Sequence, residues 1–400
     1  MKITHYREIA GRSTGFYTFM GLLLAFIGGG LVAAHYMESH GHHVTGMTNQ
    51  IVWGIPHVFA IFLILSASGA LNVASIASVF NGDLYKPLAR LSGLLAITLL
   101  AGGLATLVLD LGRPDRLIVA MTTYNFRSIF AWNIFLYTGF FAVVIIYLWV
   151  MMERRMHRFV RPVGIFAFIW RLVLTTGTGS IFGFLVAREA YNSAVMAPMF
   201  IVMSFTFGLA VFLLFLMAAF HGTGRPLGDV VLRRLKNLLG ILIAALLYFV
   251  VVYHLTNIYI AQRQGIERFI LLDGGIYTFL FWIGQVFLGS VVPLVLVFHP
   301  RFSFRRPLIA LAAALVILGG FSQLYVLIIG GQAFPLVLFP GMIVRSSFYD
   351  GVINTYTPSF PEIALGLGTT ALSLFLASFA IKVLPFLPET LADDTPKDKP

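Results

Sequence analysis

Ten long apolar runs set what this protein can fold into. They fall at about 16–37, 51–80, 88–111, 128–151, 163–187, 191–220, 237–261, 274–299, 307–330 and 362–388. About 20 predominantly apolar residues cross a bilayer as a helix, which satisfies its own backbone N–H and C=O groups where no water can. Several runs exceed that length, which predicts tilt or protruding ends. Barrel strands are excluded, because nothing alternates over ten-residue segments. The first run, Phe16–Ala34, is too long for the core of a signal peptide and no small-residue cleavage site follows it, so it reads as a retained helix.

Composition agrees. Of 400 residues, 59% are hydrophobic and 11% charged. With a mean hydropathy of +0.90, that excludes a soluble enzyme. The net charge of +11 would suggest nucleic acid in a soluble protein. Here it is a topology signal. With the N-terminus inside, nineteen of the 27 Lys and Arg fall in inner segments, seven in outer segments, and Arg171 lies within a run. The expectation is a prokaryotic inner-membrane protein with both termini cytoplasmic. Arg113, Arg116 and Arg127 defy the rule by clustering in one outer loop, which marks that loop for another task.

The chain reads as one membrane domain. Helix 1 at 16–37 precedes a four-helix bundle at 51–187 and a second at 191–330. An outer loop at 331–361, rich in Phe, Pro and Gly, is expected to lie against the outer surface or a partner. Helix 10 follows at 362–388, then a short polar tail at 389–400. Arg90-Leu91 and Arg234-Leu235 open helices 3 and 7, and Asp110 and His254 stand twenty residues after Arg90 and Arg234. Pro56 pairs similarly with Pro198, and Trp132 with Trp282. These offsets suggest two parallel copies of one bundle. Chance similarity among Leu-rich helices is the other reading.

Cysteine is absent, which removes disulfides, thiolate iron–sulfur clusters and covalent haem attachment. The densest polar stretch is Leu109-Asp110-Leu111-Gly112-Arg113-Pro114-Asp115-Arg116, followed by Tyr124-Asn125-Phe126-Arg127-Ser128. Asp110 closes an apolar run, where a carboxylate is costly. Arg113 is close enough in sequence to pair with it. One reading is an interfacial salt bridge that fixes a turn; the other is a ligand or proton site. His35 ends helix 1 and His57 begins helix 2 on the same side, so the loop between them can bring both to one depth. His, Asp and Tyr beside an apolar wall suit a quinone, whose carbonyls need donors that also exchange protons.

The candidate quinone ligands are therefore His35, His57, Tyr124, Asn125 and Arg113. The candidate proton-relay residues are Asp110, Arg171, Glu189 and His254. Arg171, inside helix 5, should face the bundle interior or a wet cavity. No metal site is expected; His40, His42 and His43 read as a solvated loop. Two pairs, His35 with His57 and His221 with His299, leave a b-type haem open but not expected.

Asp110-Leu111-Gly112-Arg113-Pro114, Asn125 with Ser128, Trp53-Gly54 and the ten-helix layout resemble the NrfD/PsrC family, the membrane subunits of nitrite- and polysulfide-reductase-type complexes. Tyr6-Arg7-Glu8-Ile9, Ala70-Leu71-Asn72-Val73-Ala74-Ser75 and Gly330-Gly331-Gln332 resemble its DsrP branch, from the sulfite-reductase-associated DsrMKJOP complexes. The resemblance implies an exchangeable menaquinone or ubiquinone and no iron–sulfur cluster of its own. It implies electron exchange with a periplasmic ferredoxin-like iron–sulfur partner, alongside a cytochrome b subunit, and a part in dissimilatory sulfur metabolism. Proton translocation could accompany that exchange. The chain would then carry the quinone site of a complex rather than be an enzyme alone. A secondary transporter and a non-catalytic membrane anchor are the rival readings.

Overall fold

The computed structural model describes residues 5–336 and 351–393. Among them are ten helices long and apolar enough to cross a membrane: α1 Thr14–His40, α2 Ile55–Ser78, α3 Asp83–Leu109, α4 Ile129–Met152, α5 Arg154–Gly183, α6 Met196–Thr223, α7 Asp229–Tyr259, α8 Ile276–Phe298, α9 Arg306–Ala333 and α10 Phe360–Val383. The protein is an all-α, multi-pass integral membrane protein. We call the end where α1 begins the proximal face, and the opposite end, expected to be the outer one, the distal face. Part of the predicted outer loop (337–350) and most of the predicted tail (394–400) lie outside the described residues.

Helix ends follow local chemistry. Ser13 caps α1 by accepting from Phe16 N at 3.2 Å. Gly54 precedes α2 and Pro56 occupies its first turn, where a missing N–H costs nothing. Ser359 and Glu362 form a capping box at α10. Two helices stop sooner than their apolar runs predict. α10 ends at Val383, because Pro385 and Pro388 cannot continue it. α5 ends at Gly183, so Arg188 and Glu189 sit in the following loop rather than on the helix. Beyond α10 the backbone runs back along residues 6–9: Arg7 N donates to Leu387 O and Ile9 N to Ile381 O, each at 3.0 Å.

Four helices close the first ring: α2 packs on α3, α3 on α4, α4 on α5, and α5 returns to α2. A second ring runs α6, α7, α8, α9 and back to α6. α10 lies on α2 and α3, and α1 lies on α10. Without a hydrophobic drive between helices in lipid, close backbone approach carries the packing. The rings meet where α2 and α6 cross at Gly69 and Gly208: a Cβ built on Gly69 would collide with Ser204 O, and one on Gly208 with Ala70 N. Beside this crossing α2 breaks at Leu71, and Ser92 of α3 spans the break. Its hydroxyl donates to Ala70 O at 2.7 Å and accepts from Ala74 N at 3.0 Å. Outward faces carry Val32, Ile145, Trp149, Ile241 and Val251, all exposed, as a lipid-facing surface requires.

Candidate functional site at the distal face

The tight start of α2 sets His57 one turn inside the distal face. Asp110, the residue that closes α3, meets it there: His57 Nδ1 stands 3.1 Å from Asp110 Oδ2. The carboxylate side chain is only 2% exposed. That distance suits charge pairing, but the angles of a hydrogen bond are not met. Both carboxylate oxygens and His57 Nδ1 are buried with unspent hydrogen-bonding capacity. His42 joins this corner from the loop after α1. Its ring reaches the Gly112 turn, where a Cβ would stand 3.2 Å from His42 Cδ2, and its Nδ1 is likewise buried without a partner. Buried polar atoms are nearly always hydrogen-bonded, so three such residues at one corner stand out.

An aromatic wall stands beside them. The Trp53 ring stacks on His57 with centroids 6.1 Å apart and on Tyr191 at 6.5 Å; Phe182 meets its edge at 5.7 Å. The segment carrying Trp53 is clamped by Arg188, which the sequence placed near this end of α5, and by Gln332, Tyr356 and Glu362, which sequence reasoning did not select for the site. Gln332 of α9 accepts from Val52 N and Trp53 N, each at 3.0 Å, and donates to Trp53 O at 3.0 Å. Arg188 donates to Gln332 O at 2.8 Å and Gln50 O at 2.6 Å; its burial lowers its pKa. Tyr356 accepts from Ile55 N and donates to the fully buried Glu362, each at 2.7 Å. The start of the predicted outer loop thus packs into the distal face.

Several candidates sit elsewhere than expected. Arg113 does not pair with Asp110. It makes a bidentate pair with Asp115, at 2.9 and 2.8 Å, because the turn after Gly112 carries its exposed side chain away from the bundle. Asn125 Oδ1 accepts from Arg127 N at 3.0 Å and shapes its own loop. Tyr124 packs on Phe135, ring centroids 4.1 Å apart. His35 is exposed on α1, which lies along α10, and no contact joins it to His57 among the described residues. Arg171 is fully buried where α5 faces α2 and α6. Its guanidinium lies over the rings of Phe168 and Phe205 at 4.8 Å and reaches Ser68 O at 3.4 Å. Glu189 is half-buried; burial raises its pKa, and Arg263 opposes that.

His254 has a partner that the sequence did not announce. Its Nδ1 lies 2.6 Å from Glu267 Oε2, while Asn257 donates to Glu267 Oε1 at 2.8 Å and Arg263 donates to Asn257 at 2.9 Å. Glu267 stands on the short helix Gln264–Arg268, folded back over the end of α7. A cavity of about 30 Å³, lined by Tyr253, His254, Gln285 and Gln323 among others, adjoins the pair. Both rings thus carry a part-buried His against a buried carboxylate near the distal face.

Ten apolar helices among the described residues make this a polytopic integral membrane protein. Residues 43–336 match the family described as polysulphide reductase, NrfD, and this protein belongs to that family. It is 30% identical over 392 residues to the Hdr-like menaquinol oxidoreductase integral membrane subunit of Archaeoglobus fulgidus, covering 97% of its own length and 98% of the relative's. It is 24% identical to the menaquinone reductase integral membrane subunit of Nitratidesulfovibrio vulgaris, covering 94% and 92%. A polysulfide reductase subunit of Wolinella succinogenes is 25% identical over 309 residues, covering 72% and 96%.

Proposed function

We propose that this protein is the quinone-interacting membrane subunit of an oxidoreductase complex, with its site at the His57–Asp110 corner. The observation that carries the reading is the buried, unspent hydrogen-bonding capacity of His42, His57 and Asp110 beside the Trp53 wall. When bound, a quinone supplies coupled exchange of electrons and protons. The residues fit such a group. His57 can donate a hydrogen bond to a quinone carbonyl oxygen or accept one from a quinol hydroxyl. Asp110 stands against its Nδ1 and can hold the proton that the imidazole gives up. The flat indole of Trp53 orients a ring, and the clamp through Gln332 and Arg188 holds the indole in place. Relatives named for menaquinol and menaquinone favour menaquinone.

Onward electrons need a carrier that a protein without cysteine does not provide, so a partner iron–sulfur subunit on the periplasmic side completes the reading. The sulfur-metabolism branch and a cytochrome b partner rest on motif resemblance alone, and inner-membrane location with cytoplasmic termini rests on the charge asymmetry. The test is quinol-dependent electron transfer by the purified complex. Asp110→Asn and His57→Ala should each slow it about 10²- to 10⁴-fold, the usual range for a lost acid–base group. Unchanged rates in both variants would remove the site.

A second role follows from the second ring: proton movement coupled to turnover through His254 and Glu267. The adjoining cavity of about 30 Å³ has room for a water, with Tyr253, His254, Gln285 and Gln323 as polar groups in an otherwise apolar lining. In vesicles, Glu267→Gln should abolish proton movement beyond the scalar reaction while quinol turnover continues. Proton movement intact in Glu267→Gln would contradict this role.

A further inference from the structure

A second, much larger cavity lies far from the site just described. It opens at the proximal face between α1, α2, α6, α9 and α10, and its volume is about 1650 Å³. Pockets for small molecules run at about 300–1,000 Å³, so this one suits a larger occupant. Its floor is apolar: Phe62, Leu63, Leu99 and Phe321 line it, with the Phe62 and Phe321 rings stacked at 4.2 Å.

The rim is polar and mainly cationic. Arg7, Arg12, Arg225 and Lys382 line it, against Glu8 and Glu389. Arg7 is 3.8 Å from Glu389. Arg225 is held by backbone, donating to Arg7 O at 3.1 Å, Glu8 O at 2.9 Å and Pro388 O at 3.2 Å. Two cations remain uncompensated. Lys382 rests over the rings of Phe16 and Tyr17 at 5.2 and 4.8 Å, and neither it nor Arg12 meets a carboxylate among the described residues. The first turn of α1, already capped by Ser13, also lines this rim with its positive dipole end.

We infer that this cavity is an integral site for an anionic glycerophospholipid. Arg12, Lys382 and the start of α1 hold the phosphate, and the acyl chains lie along the Phe62–Phe321 floor. A quinone is neutral and leaves the two free cations unanswered. Free phosphate leaves the apolar floor uncovered. An anionic lipid answers both, and basic pockets between transmembrane helices take such headgroups. A lipid seated here would fill the space between the two rings below the Gly69–Gly208 crossing.

The test uses the purified full-length protein in neutral detergent, titrated with phosphatidylglycerol or phosphatidylcholine and read by native mass spectrometry. Phosphatidylglycerol should be retained in preference. In Arg12→Gln/Lys382→Gln, both positions lying at the rim, that preference should fall on the order of tenfold. Ala218→Trp, which fills the wall without altering charge, should expel both lipids. Equal retention of the two lipids, an unaltered preference in the double variant, or displacement of the lipid by inorganic phosphate or a soluble quinone analogue would each overturn the assignment.

Discussion

His57 Nδ1 stands 3.1 Å from Asp110 Oδ2, at the point where the first turn of α2 meets the residue that caps the end of α3. The pairing joins a half-buried imidazole to a carboxylate almost wholly withdrawn from solvent. Charged groups so placed are costly in a membrane protein and persist mainly where they work. The bonds that hold the segment before His57, from Gln332, Arg188 and Tyr356, come from the loop after α5, from α9 and from the segment before α10. The corner is therefore assembled by the whole distal face.

The Gln332 clamp gives a first prediction. Gln332→Leu would strip the acceptor from the part-buried Val52 N and Trp53 N. Each unsatisfied buried group costs about 1–3 kcal/mol. Thermal unfolding of the detergent-purified protein should start at a clearly lower temperature, and Trp53 fluorescence should shift as the ring leaves Tyr191.

At the crossing of the rings, Gly69→Val should be more damaging than a lipid-facing change such as Ile145→Val. A side chain on Gly69 collides with Ser204 O, so α2 and α6 must part. Overpacking costs about 1–3 kcal/mol and often more where backbone must move. Size-exclusion profile and melting temperature check this, and a wild-type profile would contradict the packing described.

Arg113 offers a discriminating control. Paired with Asp115 and exposed, it should be replaceable: Arg113→Ala is expected to leave both thermal stability and the pH profile of quinol turnover unaltered. A shifted profile would mean that Arg113 acts on Asp110 after all.

Glu189 predicts a pH effect. Burial raises its folded-state pKa, so the folded protein holds the proton more tightly than the unfolded one. Stability therefore falls as pH rises from the ordinary carboxylate range through the raised value. Glu189→Gln removes that loss. The variant should melt slightly higher than wild type at neutral pH, with the difference vanishing below the ordinary carboxylate pKa.

Much of this architecture is legible in sequence, because a membrane helix announces itself through local hydropathy. Asp110 stands out for the same reason: a carboxylate that closes an apolar run is conspicuous. Its partner is not. Arg113 is nearer in sequence, but spacing does not reveal that the Gly112 turn aims it outward to Asp115 while Asp110 faces α2. The residues that hold the site, Gln332 and Glu362 at helix ends and Tyr356 in a loop, lie beyond long separations and carry no local mark of their partners. Glu267 escapes notice likewise, since its contact with His254 depends on a short helix folding back over α7.

The central claim, that the His57–Asp110 corner receives a quinone, is tested most directly by binding a soluble menaquinone analogue to the purified full-length protein, followed by quenching of tryptophan fluorescence. The account predicts saturable binding that weakens at least about tenfold in both His57→Ala and Asp110→Asn, a loss near 1.4 kcal/mol, and that is unaltered in Arg113→Ala. Wild-type affinity in both site variants would contradict it.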